Sequence, residues 1–308
     1  MLKKPFFVAE ISANHLNSLE RAHLLLEAAF KAGADAVKLQ TYRPETMTLN
    51  LAQNAVSPEH KLWGGKSLYQ LYAEAMTPWE WHQELFEHGK KLGVTVFSSP
   101  FDRSAVDFLE ELDCPIYKIA SLETGDLDLI EYVASKKKPI IISTGATTIE
   151  EIEQALEVTG KYRKNVTLLL CTSSYPAEPR DAHLNRISYL RKRFEIPIGI
   201  SDHTLGIGVS VAAVTLGATV VEKHLTIDRS EGGHDSAFSL EPSEFKELII
   251  EANRAFESLG KEDWMKLEAE DESRRLRRSL FISKDVKKGE MATRDNVKAL
   301  RPNLVGQI

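Results

Sequence analysis

Two histidines offer the clearest chemistry in this chain: His203, in Ser201-Asp202-His203-Thr204, and His224, in Glu222-Lys223-His224, twenty-one positions further on. Each closes a short apolar run of the kind that forms a buried strand, Ile196-Pro197-Ile198-Gly199-Ile200 before the first and Ala218-Thr219-Val220-Val221 before the second. Imidazoles at the mouths of two neighbouring parallel strands could hold one divalent metal. A histidine in that position can equally be a capping hydrogen-bond donor, so the pair has to be read with its surroundings.

Those two strands belong to a longer series. Apolar or β-branched runs predict strands near 6–11, 36–40, 94–98, 116–120, 139–143, 166–170, 196–201 and 218–224. Between the first two, Leu24, Leu25, Ala28, Ala29 and Ala32 recur at three-and-four spacing from Leu19 to Ala32, an amphipathic helix stopped by Gly33. Thr77-Pro78-Trp79-Glu80 predicts a second helix, with Thr77 as N-cap, Pro78 as first residue, Glu80 placed for a capping box and Gly93 as the end. Thr148-Ile149-Glu150-Glu151 repeats the capping-box logic, with Gly160 as terminator. Further helices are predicted around 104–112, 127–136, 182–193, 207–216 and 243–259.

Eight strand-helix units with nearly continuous apolar strands predict an α/β fold, a parallel (β/α)8 TIM barrel. An open doubly wound sheet is the competitor. It lacks the Gly-x-Gly-x-x-Gly that should follow the first strand, where Glu10-Ile11-Ser12-Ala13-Asn14-His15 stands instead. The barrel is expected over 1–262, a linker over 263–278 and a small β-rich module over 279–308. The interval 43–76, which carries Trp63-Gly64-Gly65-Lys66-Ser67-Leu68-Tyr69, is long for a connection and is expected to form a lid or pocket wall.

Composition narrows the function classes. The 308 residues hold 39 basic and 45 acidic side chains, a net charge of −6, so nothing draws the chain generally to nucleic acid or an anionic membrane. The run Arg274-Arg275-Leu276-Arg277-Arg278 reads as a solvated linker face. Two cysteines, Cys114 and Cys171, are too few for a disulfide framework or a thiolate zinc site and fit a reducing cytoplasm. The apolar stretch of the N-terminus is broken by Glu10 and is too short for a signal peptide or membrane span.

A barrel carries its reactive groups at the C-terminal ends of its strands. In chain order those ends supply Glu10; Lys38 and Gln40; Ser98 and Ser99; Lys118, Ser121 and Glu123; Ser143 and Thr144; Thr172, Ser173 and Tyr175; Ser201, Asp202 and His203; and Glu222 and His224. Singly, a lysine there is a rim charge and a serine a helix cap. Together, two lysines and several hydroxyls make a site for a small, multiply charged anion, most simply a phosphate with a carboxylate. The histidines and glutamates add a metal and proton-transfer groups. Neutral imidazoles with oxygen co-ligands suit Mn2+, Co2+ or Mg2+.

The motifs Phe7-Val8-Ala9-Glu10-Ile11-Ser12-Ala13-Asn14-His15, Ala36-Val37-Lys38-Leu39-Gln40-Thr41, Phe97-Ser98-Ser99-Pro100-Phe101, Tyr117-Lys118-Ile119-Ala120-Ser121, Ser143-Thr144-Gly145, Cys171-Thr172-Ser173-Ser174-Tyr175-Pro176, Ser201-Asp202-His203-Thr204 and Glu222-Lys223-His224, in this order, resemble the sialic acid synthase family. The resemblance implies condensation of phosphoenolpyruvate with the open-chain aldehyde of an acylamino sugar. Ser12-Ala13-Asn14-His15, the stretch Leu68 to Tyr72, Thr77 to His82, and Ser173 point to the branch whose sugar is 2,4-diacetamido-2,4,6-trideoxy-L-altrose. It further implies a metal on His203 and His224, and phosphoenolpyruvate on Lys38, Ser99, Lys118, Ser121, Ser143, Ser173 and Ser201. Tyr175 and Asp235 would face the sugar, and Glu10 and Glu123 would transfer protons. Family members usually form dimers and end in a small antifreeze-like (SAF) domain that sends an arginine into the partner's site. Ser279 to Pro302 is similar to the opening of that domain, Arg301 matches the arginine, and the sequence reaches Ile308 about halfway through the module. A sister branch using another acylamino sugar, and a barrel that binds ligand without turnover, are the alternatives.

Overall fold

A computed structural model of the chain describes residues 4–51, 55–56 and 64–303. Eight strands, β1 (Phe6–Glu10), β2 (Ala36–Thr41), β3 (Thr95–Pro100), β4 (Tyr117–Ile119), β5 (Ile140–Ser143), β6 (Val166–Cys171), β7 (Ile198–Ser201) and β8 (Val220–His224), pair in sequence order into a closed barrel. The pairings are parallel, and β1 closes on β8 with Glu10 opposite His224. Each strand lies within two residues of its expected position, because an apolar run buried on both faces has no other low-energy place in such a domain.

Helices Leu19–Ala32, Trp79–Leu92, Arg103–Glu111, Leu127–Ser135, Ile149–Val158, Arg186–Phe194, Gly208–Thr215 and Pro242–Ser258 follow the eight strands in turn. Gly33 and Gly93 end the first two in left-handed conformation, φ 96° and 84°, a backbone shape that L side chains rarely adopt. Leu25, Leu26 and Ala29 of the first helix are fully buried against the strands. Each such leucine contributes about 1.5–3 kcal/mol of burial.

Three local expectations are corrected. Thr77 does not cap the second helix: Pro78 is the N-cap, with no side-chain cap bond, so the proline takes the entry position and leaves Thr77 one residue too early. Gly160 does not terminate the 149–158 helix, which stops at Val158 with Thr159 as cap; Gly160 opens a 3-10 turn, Gly160–Asn165. The helix expected from 182 begins at Arg186, because Pro179–Ala182 winds as a separate 3-10 turn ended by left-handed His183.

The chain divides into two compact units, Met1–Leu259 and Gly260–Ile308. In the second, the expected linker is partly wound: Glu268–Glu270 forms a 3-10 turn and Asp271–Arg275 a short helix, tied by Arg274 to Glu270 and Asp271. Strands β9 (Ser279–Ile282) and β10 (Val297–Leu300) pair antiparallel. Residues 304–308 of the expected module, and Trp63 of the long insertion, lie outside the described residues. Among the described residues no helix is long and apolar enough to cross a membrane.

The barrel tolerates no extra atom at Gly199 in β7, where a Cβ would sit 2.5 Å from the Val220 carbonyl oxygen and 2.6 Å from Leu169 Cδ2. Gly199→Ala is expected to cost about 1–3 kcal/mol by urea unfolding. An unchanged midpoint would contradict this packing.

Candidate active site

Alternation along β8 sorts its last three residues to opposite sides: Glu222 and His224 face the barrel interior, and Lys223 faces the outer layer. The interior side is a charge network. Lys38 pairs with Glu10, its register neighbour on β1, and reaches Glu222 Oε1 at 3.9 Å; Lys118 approaches the same oxygen at 3.6 Å and Ser201 Oγ donates to it at 3.0 Å. All five side chains are buried.

The protonation states follow from that network. Burial works against the Glu222 carboxylate, but Lys118 and Lys38 win and hold its pKa below the usual range. Burial also opposes the Lys38 ammonium, and Glu10 with Glu222 more than offsets it, raising its pKa. For Lys118 burial dominates, with Glu222 opposing, and its pKa is lowered. Burial pushes Glu123 up to about 7 against the pull of Lys118, and pushes Asp235 up to about 7 with Glu10 adding.

Two hydroxyls over this network, Ser99 Oγ and Ser143 Oγ, are buried without a hydrogen-bond partner among the described residues. A buried orphan hydroxyl costs free energy unless a ligand meets it. Ser121 Oγ accepts from the Gly145 backbone N–H at 3.0 Å, which leaves its own proton to donate. Other strand-end groups turn elsewhere. Ser98 Oγ lies 2.6 Å from Thr41 Oγ1, in a network with His82 on the helical layer; Thr144 and Thr172 donate to the carbonyls of Leu169 and Asp181.

The histidines do come together, with ring centroids 5.4 Å apart. His203 Nδ1 lies 3.1 Å from the Thr172 carbonyl oxygen, so that nitrogen carries an N–H. Burial opposes the charged ring, but Cys171, the Thr172 carbonyl and Glu222 more than offset it and raise its pKa. Burial, with His203 and Lys38 adding, places the His224 pKa well below that of an ordinary imidazole, so the ring is neutral. Its Nδ1 is buried with no hydrogen-bond partner among the described residues, 3.5 Å from Asp235 Oδ2. The Tyr175 ring packs tilted against His203, centroids 4.5 Å apart, and Phe238 packs against both imidazoles. Among the described residues, no group of three or more His, Cys, Asp or Glu side chains is arranged to hold a metal.

Beside the network lies a pocket of about 410 Å³ lined by the polar Glu123, Tyr175, His224 and Asp235 and by Tyr42, Leu71, Tyr72 and Phe101. Part of that wall is the 43–76 insertion, through helices Pro44–Met47 and Leu68–Ala75. Sequence reasoning missed Tyr42 and Phe101, whose signal is only an aromatic just beyond a strand end, and Phe238, which the 3-10 turn Ser236–Phe238 carries well past β8. Arg301, expected to serve a sugar site, lies exposed past β10 in the second unit.

A family model described as the NeuB family matches residues 25–263. The chain belongs to the NeuB family. Among its NeuB relatives, the pseudaminic acid synthase of Helicobacter pylori is 45% identical over 306 residues, 99% of this chain and 90% of that protein. The N,N'-diacetyllegionaminic acid synthase of Campylobacter jejuni is 37% identical over 98% of this chain and 91% of its own length. The crystal structure of an N-acetylneuraminic acid synthetase from Leptospira borgpetersenii, in complex with citrate, superposes with a TM-score of 0.79 at 32% identity, over 88% of this chain and 90% of that one.

Asp202, expected in the polar mouth, is instead committed to Lys223. The Lys223 ammonium donates to Asp202 Oδ2 at 2.9 Å and to the Thr204 carbonyl at 2.7 Å, while Ser210 and Thr204 complete the Asp202 carboxylate. This NeuB turn thereby clamps the residues on either side of His203. Lys223→Met leaves a buried aspartate uncompensated and is expected to cost about 3–5 kcal/mol in urea unfolding. A loss no larger than that of Lys31→Met, at an exposed helix pair, would contradict the clamp.

Proposed function

We propose that this chain is a pseudaminic acid synthase, a transferase that condenses phosphoenolpyruvate with 2,4-diacetamido-2,4,6-trideoxy-L-altrose to give pseudaminic acid and phosphate. The observation that carries it is two buried lysines bridged by Glu222 beneath unpartnered Ser99 and Ser143 hydroxyls, an anion cradle at the floor of a largely apolar sugar-sized pocket. The identities support the sugar: 45% to a pseudaminic acid synthase against 37% to a legionaminic acid synthase.

Lys38, Lys118 and the hydroxyls of Ser99, Ser121, Ser143, Ser173 and Ser201 hold the carboxylate and phosphate of phosphoenolpyruvate. Tyr175 and Asp235 face the sugar, so its aldehyde lies over the C3 carbon. Positioning both substrates in one mouth contributes on the order of 7–11 kcal/mol. C3 attacks the aldehyde carbon, positive charge builds at C2, and water adds there. The tetrahedral adduct then expels phosphate by cleavage of its C2–O bond. Glu123 takes the proton of that water, and Glu10, ion-paired with Lys38, relays a proton from that ammonium to the new alkoxide. The adjacent imidazoles of His203 and His224, the latter neutral and with an orphan nitrogen, fit a divalent ion. When bound, Mn2+, Co2+ or Mg2+ would supply Lewis acidity to the aldehyde oxygen.

The finer setting rests on the family resemblance. The enzyme works in the cytoplasm, consistent with two free cysteines, and as a homodimer. Residues 279–302 act as part of an antifreeze-like (SAF) module, with Arg301 completing the partner's sugar site.

Purified protein with Mn2+, phosphoenolpyruvate and the altrose derivative is expected to release phosphate, with kcat/KM above that for N-acetylmannosamine or the 2,4-diacetamido-mannose derivative. A reversed order would assign the chain to an N-acetylneuraminate or legionaminate synthase, and no release with any acylamino sugar would overturn the reading. Loss of turnover in His203→Ala would dispose of a barrel that only binds. Because Glu123 must be deprotonated to act as a base and its pKa is about 7, kcat/KM should fall as pH drops below that value. Lys118, Asp126 and Tyr72 are the groups facing it. Glu123→Gln is expected to abolish that acid limb and lower kcat by about 10²–10⁴-fold; an unchanged limb would remove Glu123 from the role.

A further inference from the structure

Gly145, just beyond β5, has no conformational reason to be glycine. Its φ is outside the left-handed region, so any residue could take its backbone shape. It has a steric one. A Cβ built there would fall well inside the contact distance of Ser173 Oγ, 2.7 Å from Ser121 Oγ and 3.2 Å from Cys171 Sγ. The obstructed atoms are hydroxyls from the loops after β4 and β6 and the thiol of the last β6 residue, which means that the gap at 145 is where the ends of the two strands flanking β5 meet. The Gly145 N–H also donates to Ser121 Oγ at 3.0 Å, so one residue both anchors that hydroxyl and leaves it room.

We propose that Gly145 is a positioning residue for phosphoenolpyruvate: its missing side chain and its backbone N–H set where the Ser121 and Ser173 hydroxyls meet the anion. The proposal rests on the assignment of the anion to this mouth. Serine hydroxyls rotate at little cost, so a methyl at 145 is absorbed by turning them away rather than by unfolding the barrel. The consequence falls on ligand binding. Losing one or two hydrogen bonds to a charged ligand weakens its binding by about 10- to 100-fold.

The test measures phosphoenolpyruvate binding by calorimetry and steady-state kinetics in the full-length native protein, Gly145→Ala, Ser173→Ala and the double variant, with thermal unfolding of each. Gly145→Ala is expected to keep its Tm within a few degrees and to raise both Kd and KM for phosphoenolpyruvate about tenfold or more, with the KM for the sugar unchanged. In the double variant Ser173 no longer obstructs the methyl. Only the clash with Ser121 remains, so the combined loss of affinity should be smaller than the product of the two single losses, a non-additivity that a general loss of stability would not produce. Native-like affinity in Gly145→Ala, or equal effects on both substrates with a large fall in Tm, would overturn the proposal. A native protein that itself bound no phosphoenolpyruvate would fail the functional reading first, and this proposal with it.

Discussion

Two ammonium groups buried inside the barrel, Lys38 and Lys118, share one buried carboxylate, Glu222, and the rest of the site depends on how that charge is balanced. Either lysine alone in an apolar lumen would lose its proton. Glu222 sits between them and stays ionised because they flank it, and Glu10 adds a second counter-charge on Lys38. Lys38 is thus held cationic before any ligand arrives, while at Lys118 Glu222 offsets only part of the burial that lowers its pKa. The prearranged charge on Lys38 is the preorganisation that recognition of a compact, highly charged anion requires.

The closed barrel makes this arrangement possible. Neighbouring strands in register bring Glu10, Lys38 and His224 to one level and place Ser201 beside Glu222. The alternation of side chains then separates two ion-pair systems on the same short strand. Glu222 and His224 look inward to chemistry; Lys223 looks outward and, through Asp202, holds the turn on which His203 stands. A one-residue slip of β8 would exchange the two and destroy both.

Much of this was legible in the sequence, for identifiable reasons. The eight strands were found because each is an apolar run with a polar residue at its C-terminal end, and the helices because capping residues and terminal glycines mark them, Thr148 and Gly33 among them. The anion-binding character followed from residue types alone. Partner choice was hidden. Nothing in Ser201-Asp202-His203 says that Asp202 turns away to Lys223, or that Ser98 faces a helix while Ser99 faces the lumen; those depend on which face of the barrel each residue meets. The aromatic wall was invisible for a related reason, since Tyr42, Tyr72, Phe101 and Phe238 come from separate segments that only the fold assembles.

The most direct measurement is the position of phosphoenolpyruvate in crystals of the protein soaked with it. Density for the carboxylate and phosphate is expected between Lys38 and Lys118, with the Ser99 and Ser143 hydroxyls now partnered. Density elsewhere would contradict the account, above all in the roomier groove of about 710 Å³ that Trp79, Lys90 and Phe108 line on the helical layer.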